Sequence, residues 1–294
     1  IDVIHAHDPN VSAIASFIID PKGRVPCIVK YSGDLAWELL GLKKGITNEN
    51  EFWRSFSTKI LVGIEKVIFE KFDKIIAQSN YQKKMLESVC GVDEHKIALI
   101  PNGVHIYNYP DKEIQQVNSE LPGGLKIASA CRLVPWKGLE YGIKAIKHIE
   151  GKYLIFGEGP DKERLKEMAR KEGVWDKVLF FGKIPHEKVQ LYLRCCDVLL
   201  VPSTYEPFGI VILDGFAAGV PVVASNVGGI PELLREEQMF ECYNVDEIVD
   251  RIHYCLEHRD KIARIQTKKL EEYKWSRIAK KLLQIYEEFL GWRA

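Results

Sequence analysis

Two carboxylates stand eight positions apart in Val201-Pro-Ser-Thr-Tyr-Glu206-Pro-Phe-Gly209-Ile-Val-Ile-Leu-Asp214, on either side of a Pro-Phe-Gly turn. The apolar run from Asp197 to Pro202 reads as a buried strand, so Glu206 lies past its carboxyl end, where open parallel sheets bind their ligands. A helix starting at Gly209 turns its unpaired N–H groups and the positive end of its dipole toward any anion there. Asp214 follows about a turn and a half later and can face the same mouth. An acid, an anion socket and a second acid in one strand-turn-helix unit suit a sugar joined to a nucleoside diphosphate. The same two acids also fit a plainer role, as charges complementing a helix dipole.

Other candidate groups sit at equivalent points of the chain. Arg132 and Lys137 flank Leu133-Val-Pro-Trp136 just after a strand, a fork-shaped and a point cation suited to a diphosphate. Taken singly, each also reads as solvated surface charge. Gly157-Glu-Gly-Pro160 follows another strand and permits close backbone approach to a ligand. In Ser225-Asn-Val-Gly-Gly229-Ile-Pro the two glycines either leave N–H groups facing an anion or make an ordinary tight turn. His7 ends the strand Ile4-His-Ala-His-Asp8 and either meets a substrate hydroxyl or caps a loop. Tyr31-Ser-Gly-Asp34-Leu-Ala-Trp37-Glu38 follows a strand as well. Its Trp37 either stacks on an acceptor sugar or is buried in packing.

At 294 residues the chain is long for one core and comfortable as two domains. Lys plus Arg and Asp plus Glu both number 41, a balance that argues against nucleic acid as a partner. Seven cysteines, an odd count without C-x-x-C spacing, read as reduced thiols of a cytoplasmic protein. No apolar run reaches the roughly 18 residues of a membrane span, and the start lacks a signal peptide's pattern. Leu42 to Met85 leans basic, and Phe52, Trp53, Phe56, Ile60, Ile64, Val67, Ile68 and Phe72 fall on one face of a long helix. Such a face packs on a sheet or, less commonly, rests peripherally on the inner face of an anionic membrane. His5-x-His7-Asp8 is a fragment of a zinc site, but the histidines at 95, 105, 148, 186, 253 and 258 lack ligand spacing.

These groups need a scaffold. From Leu125 onward, strand-like runs at Lys126–Cys131, Lys152–Phe156, Lys177–Phe181, Asp197–Val201 and Pro221–Ser225 alternate with helix-length segments at Leu139–Ile149, Asp161–Glu172, His186–Cys195 and Gly209–Ala218. Strict alternation predicts a parallel sheet covered on both faces. Gly151, Gly173 and Gly219 fall where left-handed helix ends belong. Val3–His7, Cys27–Tyr31, Lys74–Ala77 and Ile97–Ile100 predict a second such unit at 1–110. His105 to Gly124, with two prolines and two glycines, sets a linker at 111–124, before a second domain at 125–273. Asn244 to Leu290 is helical throughout.

Taken together, the motifs resemble the family 4, group 1 retaining glycosyltransferases of the GT-B fold. The resemblance rests on His-Ala-His7-Asp, Ile-Ile-Ala-Gln-Ser79, Ile-Pro-Asn102-Gly-Val, Cys-Arg132-Leu-Val-Pro-Trp-Lys137-Gly, Phe-Gly157-Glu-Gly-Pro, Phe-Phe-Gly182-Lys, Glu206 to Asp214, Ala-Gly219-Val-Pro and Gly-Gly229-Ile-Pro-Glu. It implies an α/β chain with two Rossmann-like, doubly wound parallel-sheet domains, the first incomplete because the family's usual leading strand and glycine-rich loop are missing before Ile1. It implies transfer from a nucleotide-diphosphate sugar to a hydroxyl of a glycan, lipid-linked or small-molecule acceptor, with retention and without a metal or other cofactor. No D-x-D pair occurs.

Carried onto this sequence, the resemblance assigns Arg132 and Lys137 to the diphosphate and Glu206 to the donor sugar, with His7 beside it. Backbone at Phe208, Gly209, Ile210 and Val211 would hold the distal phosphate, Asp214 the ribose, and Lys183 and Ile184 the base, with Gly157 close by. Asp34, Trp37, Ser79 and Asn102 are acceptor-side candidates. The family has Glu where Asp214 stands, one methylene longer. The helix at 274–294 would return to the first domain. A non-catalytic nucleotide-sugar-binding half, needing a partner or the missing segment, is the alternative.

Overall fold

The computed structural model describes residues 2–8, 11–20, 23–33, 35–44, 52–53 and 55–291. The chain divides into two units, one of Ile1–Gly103 with Trp275–Ala294 and one of Val104–Lys274. In the first, β1 (Ile4–Ala6), β2 (Cys27–Lys30), β3 (Lys74–Ala77) and β4 (Ile97–Leu99) form a parallel sheet in sequence order. Every crossover moves in the same direction, and since parallel crossovers are right-handed as a rule, the connecting helices are expected on one face. They are α1 (Val11–Ile19), α2 (Leu35–Lys44), α3 (Phe56–Glu70) and α4 (Asn80–Ser88). Period-two alternation supports this reading. Val29, Ile75 and Ala77 share a core with Ala13 of α1, Phe69 of α3 and Leu86 of α4, while Ile28 and Ile76 point to the opposite core.

The second unit carries a six-stranded parallel sheet in the order β10-β9-β8-β5-β6-β7. Its helix α5 (Asp111–Glu120) is followed by β5 (Lys126–Ala130), α6 (Leu139–Ala145), β6 (Lys152–Phe156), α7 (Lys162–Lys171) and β7 (Val178–Gly182). Then come α8 (His186–Arg194), β8 (Val198–Val201), α9 (Ile210–Ala218), β9 (Val222–Ser225), β10 (Met239–Phe240), α10 (Val245–Glu257) and α11 (Arg259–Leu270). Both faces are covered: Ala128, Leu154 and Leu199 enter one core, and Ile127, Ile155 and Leu200 the other. Buried on two sides, these strands read as continuous apolar runs. The closing helix α12 (Trp275–Gly291) belongs to the first unit, where Ile278 and Ile285 pack on Ile28 and Ile76.

Three sequence expectations need correction. The stretch 111–124 is not a linker, because most of it is α5, whose Val117, with the following Leu121, lies in the second unit's core. Gly173 and Gly219 end helices with φ of 72° and 73°, but Gly151 does not adopt that conformation. The single apolar face expected over Phe52–Phe72 is split: Phe52 and Phe72 are buried, whereas Phe56, Ile60, Ile64 and Val67 point outward.

A carboxylate placed at Val117 would be desolvated in an apolar core. Val117→Asp is expected to lower unfolding free energy by more than about 3 kcal/mol in urea titration. An unchanged midpoint, as a linker position would give, contradicts the assignment of α5.

Candidate functional site

In the second sheet, β5 is followed by β6 and β7 on one side, and the chain then returns to lay β8 against the other side of β5. Loops leaving β5 and β8 therefore diverge, opening a crevice at the carboxyl edge, the usual ligand position in such sheets. A cleft of about 820 Å³ occupies that edge. Its walls come from Arg132 after β5, Gly157 after β6, Lys183 and Ile184 after β7, His186 and Val189 of α8, and Ile210, Val211 and Asp214 of α9. No side chain caps the α9 N-terminus, where Gly209 (φ 94°) precedes Ile210.

Lys137 Nζ and Glu206 Oε2 form an ion pair at 2.6 Å, with side chains only 21% and 10% exposed. Ser203 Oγ donates to the same carboxylate oxygen at 3.3 Å. The pair lies in a recess that shares Ala130, Cys131 and Val211 with the larger cleft. Removing either partner of so enclosed a pair leaves a charge without compensation. Cys131 offers no competing nucleophile, because burial pushes its thiol up to about 12.

The loop carrying Glu206 is braced from behind. Gly229 N–H donates to the Glu206 carbonyl at 3.0 Å, so it does not face an anion. A Cβ on Gly228 (φ 56°) would come within 2.1 Å of that carbonyl oxygen. The Gly228-Gly229 turn is thus a backbone cradle for Glu206 and Pro207. Gly157 acts similarly across the cleft: at φ 143° its position would place a Cβ 1.8 Å from the Cys131 carbonyl oxygen.

Asp214 is 2% exposed. Gln190 Nε2 donates to its Oδ1 at 2.9 Å and to the His105 carbonyl at 2.7 Å. His186 Nε2 lies 3.6 Å from Oδ2. Burial pushes the carboxyl above the ordinary aspartate range, partly offset by the Gln190 bond and the His186 charge. His186, Gln190 and Ser203 escaped the sequence reading. The available signal was the four-residue spacing of His186 and Gln190, which puts both on one face of α8.

In the first unit the candidates divide. His7, exposed after β1, stacks on His5 with ring centroids 4.6 Å apart. His5 hydrogen-bonds the Tyr286 hydroxyl at 2.7 Å, and burial, then His7 and Lys30, hold it down to about 4. Among the described residues, no group of three or more His, Cys, Asp and Glu assembles a metal site. Trp37 is 1% exposed and packs 4.4 Å from the Phe52 ring, so its indole has no face open to a sugar. Ser79 caps α4 by accepting from Gln82 N–H at 3.1 Å. Asn102 is buried between Lys30, which donates to it, and Gln78, to which it donates. Both side chains thus serve the fold. Asp34 lies outside the described residues.

Comparison with known proteins decides the family. Residues 111–273, more than half the chain, match the profile of glycosyl transferases group 1, and residues 1–107 match glycosyltransferase family 4. The chain is a group 1, family 4 glycosyltransferase. An uncharacterized glycosyltransferase of Methanocaldococcus jannaschii is 28% identical over 97% of this chain and 75% of its own length. Sucrose-phosphate synthase of Thermosynechococcus elongatus superposes with a TM-score of 0.81 at 24% identity, covering 98% of this chain and 74% of that one. HepE of Anabaena, solved in complex with UDP-glucose, gives 0.80 at 21% identity, covering 99% and 79%. The two parallel α/β sheets of this glycosyltransferase are those of the GT-B fold.

Two predictions follow from the geometry. Gly228→Ala would force the Glu206 carbonyl aside and is expected to destabilise the chain by about 1–3 kcal/mol, read by thermal melting; an unchanged melt contradicts the cradle. Because the folded Asp214 carboxyl holds its proton to a higher pH than the unfolded one, near about 3.9, the folded state binds more protons in between. Asp214 therefore makes stability fall as pH rises from the unfolded value through the raised folded one. Asp214→Asn is expected to remove that fall in urea titrations across the window, and parallel profiles contradict it.

Proposed function

We propose that this glycosyltransferase moves a glycosyl group from a nucleoside-diphosphate sugar to an acceptor hydroxyl with retention at the anomeric carbon, and that fixed protein charge rather than a metal stabilises the leaving diphosphate. The observation that carries this reading is the convergence at one carboxyl edge of Arg132, the uncapped α9 N-terminus and the Lys137–Glu206 pair. The UDP-glucose held by HepE, a structural relative, supports the donor class.

In the reaction, the bond from the anomeric carbon to the diphosphate oxygen breaks and its electron pair leaves with the nucleoside diphosphate. The acceptor oxygen bonds the same carbon from the vacated face, and its proton passes to a departing phosphate oxygen. Negative charge grows on the phosphates, next to groups already oriented to receive it, so little reorganisation accompanies the step. Arg132 suits bidentate contact with phosphate oxygens. Lys137, oriented by Glu206, adds a point charge, and the N–H groups of Ile210 and Val211 add the helix dipole. Glu206 keeps acceptor capacity for the hydroxyls of the donor sugar.

Asp214 would receive the ribose. Its carboxylate is one methylene shorter than the glutamate of the family pattern, and His186, on the cleft wall 3.6 Å from Oδ2, would span the resulting gap. Lys183 and Ile184 border the base. The acceptor is a glycan, a lipid-linked sugar or a small hydroxyl compound.

Lys137→Ala tests the charge role. Removing one such electrostatic donor is expected to lower kcat for donor hydrolysis or transfer by about 10²–10³-fold, or about 2.7–4 kcal/mol. Assayed on a panel of UDP, GDP and ADP sugars, undiminished turnover in a folded Lys137→Ala variant contradicts the proposal.

A further inference from the structure

A carboxylate with little solvent around it keeps its charge and its orientation only if the protein supplies donors. For Asp214 of α9, that donor is Gln190 of α8, itself 1% exposed, whose Nε2 reaches Oδ1 at 2.9 Å. The amide is held at every position. Its Nε2 also donates to the His105 carbonyl at 2.7 Å, and its Oε1 accepts from the Tyr107 N–H at 3.2 Å. With the nitrogen and the oxygen both engaged, the amide plane cannot turn without breaking bonds to α9 or to the segment before α5. Oδ1 of Asp214 therefore has a fixed partner, and the carboxylate a fixed plane.

The second oxygen is in a different position. His186 Nε2 stands 3.6 Å from Oδ2, beyond direct hydrogen-bond length, and among the described residues no other donor bonds that atom. Asp214, His186 and Val189 line the 820 Å³ cleft, whereas Gln190 does not. The amide thus stands behind the acid, occupying Oδ1 and leaving Oδ2 with acceptor capacity for whatever enters. Burial already pushes the Asp214 carboxyl up, and the Gln190 bond is the strongest influence opposing that push.

We propose, on the reading of Asp214 as the ribose acceptor, that Gln190 is a positioning residue which holds Oδ1 so that Oδ2 meets the vicinal hydroxyls of a ribose, and that the site thereby selects ribonucleoside over dideoxyribonucleoside diphosphates. Hydroxyls donating to an ionised, pre-aimed carboxylate form charge-assisted bonds. A nucleotide without them leaves an enclosed charge uncompensated, and this asymmetry turns a hydrogen bond into discrimination. A plainer role for Gln190, pinning α8 to the segment before α5, would cost stability without regard to the sugar. The deciding readout is therefore dependence on the ribose hydroxyls.

Calorimetric titration of the whole chain with UDP, GDP and ADP, each beside its 2′,3′-dideoxy counterpart, supplies that readout. For the base that binds, the parent is expected to favour the ribose form by at least about tenfold. Gln190→Met keeps the length of the side chain and removes all three bonds. It is expected to weaken binding of the ribose form by about 10- to 100-fold and of the dideoxy form by less than about twofold, so the preference collapses. His105 is exposed and Tyr107 half-buried, so water can take up their freed backbone groups and the fold should survive. Should Gln190→Met melt below the titration temperature, Gln190→Glu takes its place, since it keeps an acceptor for the Tyr107 N–H but has no amide N–H for Asp214; the same collapse is expected. A parent that binds no nucleotide, or binds both forms alike, removes the ribose reading of Asp214 and this proposal with it. A parent that favours ribose, with variants that weaken both forms in equal ratio or neither, overturns the role of Gln190 alone.

Discussion

A 2.6 Å ion pair between Lys137 and Glu206 is the contact on which the site depends. One partner follows β5 and the other follows β8, strands distant in sequence but hydrogen-bonded in the sheet. Strand order alone brings them together. The loops leave in opposite directions from there, so the pair sits at the head of a crevice rather than on a closed surface. Its enclosure makes the charges costly to separate, which fixes the ammonium and the carboxylate in place before any ligand arrives.

Around that pair, backbone geometry matters as much as side-chain charge. The Gly228-Gly229 turn presses on the carbonyls of Glu206 and Pro207, and Gly157 on that of Cys131, closer than any Cβ would allow. Loops packed so tightly cannot drift, so Arg132, Glu206 and the start of α9 keep their spacing. On the far wall, Gln190 ties Asp214 to the His105 carbonyl, joining α9, α8 and the segment before α5. Within the first unit, a buried polar network runs from Lys30 through Asn102 and Gln78 to the Tyr31 carbonyl.

Much of this was legible in the sequence for a physical reason. Strands buried on both faces must be apolar throughout, so β6 and β3 could be read with the bounds the structure gives them, Lys152–Phe156 and Lys74–Ala77. Residues at strand carboxyl ends were legible too, because a parallel sheet sends them all to one edge, as Arg132, Gly157 and Lys183 show. What failed was information held by tertiary partners. Helix α5 has few apolar residues and no side-chain cap, and only packing on the second core reveals it. Trp37 carries the right chemistry for sugar stacking but spends it on Phe52. The inward turn of Glu65 and the outward turn of Ile60 run against the simple hydrophobic rule, so the orientation of α3 could not be read from periodicity.

The claim that a pyrophosphate is held by these charges is tested most directly by calorimetric titration of the intact chain with UDP, GDP and ADP. One of the three should bind saturably, and its affinity should fall steeply with added salt and vanish in a folded Arg132→Ala/Lys137→Ala double variant. If none of the three binds, or if the double variant binds as tightly as the parent, the charges serve some other purpose and the account fails.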